Sequence, residues 1–324
     1  MPYIGIANGT NGHFFAFSPS NQGDRFDYKD VLTRVFNGPR TIITLLITAG
    51  ASQGEILSLK RPANHSSYTL DFFGPAVQCR DANETTTEAI QQAIASEMKR
   101  SSTNTTREVQ VAYHAFVPSM AADHNVVGEA EVRYQAPGNG SNEVWMAFER
   151  YENKTDKSCK HSKHYQVCSL WNATYDLTLN WENDFQNVSG TWKLLHEVAY
   201  PPVDEANTTT EMAQHAYSAF FWSLADQIVG TFGLFEEMAA DGSGNRTFPR
   251  IRCPIQHNSL LGSSDLSVFF DYNEDLDACQ KPYGDLSLQR QQDVNRARGR
   301  TLGALIEELS FNLTVSLMHN ELLT

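Results

Sequence analysis

The chain has 324 residues, 41% of them hydrophobic and 19% charged, a globular composition long enough for one large domain or two modest ones. Its formal net charge of -13 argues against nucleic acid as a partner, because phosphates are met by a Lys/Arg surface. No apolar run reaches 18 residues, so no segment reads as a membrane-spanning helix; the nearest, Ala219 to Phe235, is interrupted by Ser223, Asp226 and Gln227.

Residues 1–40 are rich in Gly, Asn, Ser and Pro and read as loop or weak strand. Thr41 to Thr48 is a β-branched apolar run that predicts a buried strand. Further strands are expected at Ile56–Lys60 and Ser67–Phe73, the second stopped by Gly74-Pro75. Ala89, Ile90, Ala93, Ile94 and Met98 recur at helical spacing and predict a helix over Thr85–Arg100. Strands follow at Arg107–Val117, Glu129–Tyr134 and Glu143–Tyr151. Tyr165 to Trp181 alternates apolar odd positions with polar even ones, the pattern of a strand with one wet face, and that face carries Asn172. After a turn at Glu182-Asn183-Asp184, Phe185 to Tyr200 returns antiparallel. Thr208 and Glu211 have capping-box spacing and open a helix whose apolar pattern runs through Met238 to a stop at Asp241-Gly242. Gly242 to Gln292 reads as irregular, with one strand at Leu266–Phe270. A last amphipathic helix, Thr301 to Leu317, gathers Leu302, Leu305, Ile306, Leu309, Leu313 and Leu317 on one face. The expected class is α+β: an antiparallel sheet or sandwich packed by two or three helices. The expected organisation is an irregular segment 1–64 with one or two strands, followed by an α+β ectodomain over 65–324, or one continuous domain 1–324.

Asn-X-Ser/Thr triplets are the strongest signal in the chain. They begin at Asn8, Asn64, Asn83, Asn104, Asn139, Asn153, Asn172, Asn187, Asn207, Asn245 and Asn312, and none has Pro in the middle. With 22 Asn in the chain, chance predicts roughly three or four such sites. The excess points to a secretory lumen, where sugars are attached to accessible chain. Against this, the N-terminus has no basic n-region and no sustained apolar h-region, which leads to the expectation of a membrane segment preceding this chain, or of a truncated reading frame. Accidental triplets in a cytosolic protein are the remaining alternative.

Five cysteines, Cys79, Cys159, Cys168, Cys253 and Cys279, allow two bridges and one spare thiol. Cys159, His161, His164 and Cys168 are of zinc-ligating type, but crowd within ten residues, so a bridge between Cys159 and Cys168 competes with a metal. Such a short loop is worth about 2.5–3 kcal/mol. Asp271, Asn273, Asp275 and Asp277 alternate like the start of a calcium loop, yet Leu276 stands where the turn glycine belongs and Pro282 where the last carboxylate belongs, so a solvated acidic loop is the better reading. There is no Gly-X-Ser-X-Gly elbow and no His-Glu-X-X-His helix, and the carboxylate pairs Glu236-Glu237 and Glu307-Glu308 read as helix-surface charge. No catalytic residue and no cofactor is assigned.

Four segments taken together resemble a known group: Ser67-Tyr-Thr-Leu-Asp-Phe-Phe-Gly-Pro-Ala-Val-Gln-Cys79, Cys168-Ser-Leu-Trp-Asn-Ala-Thr-Tyr175, Ala216 to Gly230, and Ile306-Glu-Glu-Leu-Ser-Phe-Asn-Leu-Thr-Val-Ser-Leu317. They are similar to the extracellular region of uncharacterised fungal multi-spanning membrane proteins. The resemblance implies that Cys79 and Cys168 are exterior and bridged and that Asn172 and Asn312 are sugar acceptors; the chain departs from the group in lacking the flanking membrane helices, through which attachment to a membrane is expected. The resemblance implies no known activity, substrate or cofactor; together with the triplet excess, the cysteines and the lack of a catalytic signature it leads to the expectation of a non-enzymatic module on the extracellular face of a membrane, structural or ligand-sensing. A secreted or cell-surface hydrolase with a site assembled from distant segments is the rival expectation.

Overall fold

The computed structural model describes residues 12–17, 33–59, 63–101, 106–120, 126–127, 140–151, 161–183, 185–202, 208–238, 244–269, 288–297 and 299–318. The fold is α+β, built on a seven-stranded antiparallel sheet. Its strands are β3 (His65–Asp81), β4 (Thr106–Phe116), β7 (Glu143–Tyr151), β8 (His161–Glu182), β9 (Phe185–Glu197), β10 (Gly230–Met238) and β11 (Asn245–Arg252). Two hairpins lie outside it: β1 (Gly12–Phe17) with β2 (Thr33–Pro39), and the two-residue β5 (Ser119–Met120) with β6 (Val126–Val127). The strand predicted over Glu129–Tyr134 and the Asp271–Asp277 loop fall outside the described residues.

The 22-residue β8 organises the sheet. Along one side it pairs with β3 from His65↔Glu182 to Asp81↔Gln166, without a register shift. Along the other it pairs first with β7 and then with β9, so β9 continues the row that β7 begins. The expected alternation holds from Ala173 to Trp181, whose odd positions are buried. Nearer its start β8 is covered on both faces: Val167, Cys168, Ser169 and Leu170 are all buried.

That two-sided burial comes from the helices. On the face of Cys168 and Leu170 lie α1 (Thr41–Gln53), α3 (Thr209–Ala225) and α5 (Leu302–Met318), which join Tyr113, Met146 and Phe148 in the main core. On the opposite face, α2 (Glu84–Ser101) sets Ile90, Ala93 and Ile94 against Val111, Phe116 and Ala147. A third cluster on that face joins Phe72, Tyr175, Leu177 and Leu179 to Val315 of α5. Helix α5 therefore contributes to cores on both faces and crosses the edge of β3. There Thr314 Oγ1 donates to the Pro75 carbonyl (2.7 Å), and the Cys79 backbone N–H donates to Glu307 (2.8 Å). Proline interrupts a strand's ladder only where a partner strand needs its N–H. On this edge strand Pro75 is tolerated, and β3 runs through Gly74-Pro75 instead of stopping there.

Other expectations are corrected. Thr41–Thr48 is helix α1: Ile43, Ile47, Gly50 and Ala51 are buried at helical spacing, and Gly54 closes it in the left-handed region, φ 69°. Tertiary packing overrides the weak strand preference of its β-branched residues. Ile56–Leu59 carries no strand, its backbone N–H groups going to side chains instead: Leu57 to Ser316 (2.8 Å) and Leu59 to Gln186 (2.7 Å). The Thr208 capping box forms, but the helix ends at Ala225 and β10 begins at Gly230. Glu236 and Glu237 thus sit on a strand. Between Gly242 and Gln292 the chain forms β11 and the short 3-10 turns Pro254–His257, Ser259–Gly262 and Ser267–Phe269, with no strand at Leu266–Phe269; α4 (Leu288–Ala297) follows. Helix α5 is buried nearly all round rather than amphipathic, Ser310, Asn312, Thr314 and Ser316 included.

Candidate functional site

The bridge expected from the resemblance is present. Cys79 and Cys168 are direct cross-strand partners on β3 and β8 and form a disulfide spanning 89 residues of chain. Cys168 is buried and Cys79 half-buried. Helix α5 packs closely on the joint: a Cβ at Gly303 would stand 3.2 Å from Cys79 Cβ and 3.1 Å from the Gln166 side chain, so a larger residue there would require these neighbours to give by a few tenths of an ångström. Closing a loop of this length stabilises the fold by about 4.5 kcal/mol in the chain-entropy account. This pairing rules out a Cys159–Cys168 bridge and removes Cys168 from any zinc sphere. His161 opens β8, and the half-buried His164 stacks on Phe148, ring centroids 6.1 Å apart. Cys159 and Cys279 lie outside the described residues. No group of three metal-ligating side chains occurs among the described residues.

Cys253 is a buried free thiol. Its Sγ donates to the Ile228 carbonyl (3.2 Å), and burial pushes its pKa up to about 12. A nucleophilic cysteine needs the opposite setting, exposed and electropositive. Burial likewise raises the Tyr113 and Tyr175 hydroxyls, which donate to the carbonyls of Ile228 (2.7 Å) and Pro75 (2.6 Å). These groups hold elements together. Asp265 does the same: Arg150 Nε and the Leu302 backbone N–H donate to its two carboxylate oxygens at 2.7 and 2.8 Å, fixing the start of α5.

The triplets separate by environment. Asn64, Asn83, Asn187 and Asn245 are exposed. Asn83 also caps α2, its Oδ1 accepting from the Thr86 N–H (2.9 Å), which leaves its amide nitrogen available to a sugar. Asn172 is half-buried where α3 crosses the sheet, accepting from the Tyr217 hydroxyl (2.9 Å). Asn312 is only 8% exposed, and its Nδ2 donates to the Gly54 carbonyl (3.2 Å). The nitrogen a glycan would occupy there is inside the protein, so the acceptor role implied for Asn312 does not fit the fold. Asn8, Asn104, Asn139, Asn153 and Asn207 lie outside the described residues.

Two clefts of about 600 Å³ open on the surface. One, of ≈ 590 Å³, lies beside Glu55, Arg296, Arg300 and Glu308. Its arginines are engaged within the protein, Arg300 with Glu308, and Arg296 with Glu55 (3.4 Å) and the Gln53 carbonyl (3.0 Å). The other, of ≈ 610 Å³, lies at the open end of the β3/β8/β9 ribbon and includes His65, Ser67, Asn180, Glu182, Phe185 and Asn187. Phe185 is 80% exposed, and with Trp192 (40%) and Leu195 (43%) it places three large exposed apolar side chains on β9. Sequence reasoning passed over Phe185; its signal was an aromatic two residues before an acceptor Asn at a hairpin end. No helix among the described residues is long and apolar enough to cross a membrane. No protein-family model, curated protein or solved structure matches the chain.

Proposed function

We propose that this chain is a lumen-side or extracellular module of a membrane protein, with a structural or ligand-sensing role. The observation that carries the reading is the joint presence of the Cys79–Cys168 bridge and four exposed acceptor triplets, Asn64, Asn83, Asn187 and Asn245. Disulfides persist where thiols are not continuously reduced, and sugars are added only in the secretory lumen. Two unrelated chemistries thus support one compartment. The resemblance to the extracellular region of fungal multi-spanning proteins supplies the membrane attachment, through segments flanking this chain.

A role without catalysis is supported by what two of the described buried polar groups do. The described free thiol is protonated and enclosed, and the buried Asp265 is consumed in anchoring α5. Expression from its own genomic locus tests the placement. The protein should lose mass on endoglycosidase treatment and react with a membrane-impermeant label on intact cells. Material with no endoglycosidase-sensitive mass, labelled only after cell lysis, would contradict it.

A further inference from the structure

We infer that Asn187 is a glycosylation site whose first sugar packs on Phe185 within the cleft at the end of the β3/β8/β9 ribbon. The inference rests on the secretory placement proposed above.

The register supplies the geometry. His65 pairs with Glu182 and Glu182 with Phe185, while Ser67 pairs with Asn180 and Asn180 with Asn187. Directly opposed residues share a face, as do residues two apart on one strand. All six side chains therefore project from the same face in two adjacent rows, about 7 Å apart along the strands. Phe185 and Asn187 are neighbours along β9 on that face, and both line the ≈ 610 Å³ cleft. Asn187 is exposed, so its Nδ2 is open to modification, and it begins an Asn-Val-Ser triplet.

The chemistry of the two residues is complementary. An aromatic ring has a negative face, and the C–H-rich face of a pyranose presents partially positive hydrogens to it. An isolated Phe side chain 80% exposed at a hairpin end leaves its apolar area in water, and a stacked sugar removes that area. Around the ring, Ser67, Asn180 and Glu182 offer hydroxyl, amide and carboxylate partners for the sugar's polar edge, with Ser67 already donating to Asn180. Attachment requires an oligosaccharide carried on a lipid pyrophosphate. The bond from sugar C1 to the pyrophosphate oxygen breaks, a bond from C1 to Asn187 Nδ2 forms, the amide loses one proton, and the lipid pyrophosphate leaves with the bonding electrons.

The experiment uses the full chain secreted from a yeast host behind that host's signal sequence, with glycans trimmed to one N-acetylglucosamine per site. Glycopeptide mass spectrometry should find Asn187 occupied. Asn187→Gln should lower the thermal midpoint in the native background, and this loss should vanish when Phe185→Ala is already present. Both side chains are exposed, so neither substitution threatens the fold. Asn64 directly precedes His65 at the same end, so the Asn64→Gln variant distinguishes a sugar from that position; the Phe185–Asn187 coupling should survive it. Equal effects of Asn187→Gln in both backgrounds, or a bare Asn187 beside occupied Asn64, Asn83 and Asn245, overturn the inference and leave the placement standing. Bare asparagines at all four positions in protein from the native cells overturn both.

Discussion

Asp226 shows how local chemistry sets stability at a single residue. It ends α3, where unpaired carbonyls make a negative charge unfavourable, and partial desolvation raises its carboxyl pKa although the residue as a whole is exposed. A raised folded pKa means that the fold prefers the protonated acid. The penalty is therefore present above the folded pKa and disappears as pH falls below the unfolded one. Asp226→Asn should stabilise the protein by about 0.3–1 kcal/mol near neutral pH, and urea titrations should show the gain fading through the acidic carboxylate range. A gain that is constant with pH would mean that charge is not its cause. At this scale the sequence was partly legible. The triplets and the Thr208–Glu211 box could be read directly, because each is a contiguous pattern. The burial of Asn312 could not: its inaccessibility is created by α5 packing on Gly54, 258 residues away in sequence.

Among elements, the α3–β10 junction separates the legible from the hidden. From Ala216 to Phe235 the chain is buried nearly throughout, on both sides of the junction, and a fully buried strand cannot be told from a fully buried helix by periodicity. What ends the helix is backbone geometry. Gln227 and Ile228 close tight turns onto Leu224 and Ala225 (both 2.9 Å), and Gly230 takes φ 147°, which favours glycine. A Cβ there would also overlap the Arg252 carbonyl oxygen. Gly230→Ala should destabilise the protein by at least about 1 kcal/mol, seen as a lower denaturation midpoint with an unchanged slope. An unshifted midpoint would show that β10 starts without need of glycine. Conversely, α2 and the Ala173–Trp181 half of β8 were readable because each has one covered and one wetter side that imposes a period. The sequence pattern of α5 marks a helix but not its central place, which comes from burial on nearly all sides. Its buried Thr314 and Ser316 lie on different sides of the helix, and each bonds a backbone group along the chain it crosses: Thr314 to Pro75 and Ser316 to Leu57.

For the whole molecule, the Cys79–Cys168 bridge joins the two longest-paired strands under the helix that links both cores. Replacing both cysteines by serine should cost about 2–5 kcal/mol in denaturant unfolding. An unchanged stability would make the bridge incidental to the fold. If the compartment is oxidising, this bridge is also the most direct record of it. The decisive measurement is differential alkylation of the protein taken from its native cells, acid-quenched and unfolded without reductant. The account predicts that Cys253 labels at once on unfolding, while Cys79 and Cys168 label only after reduction. Immediate labelling of all three would place the chain in a reducing interior and contradict the account.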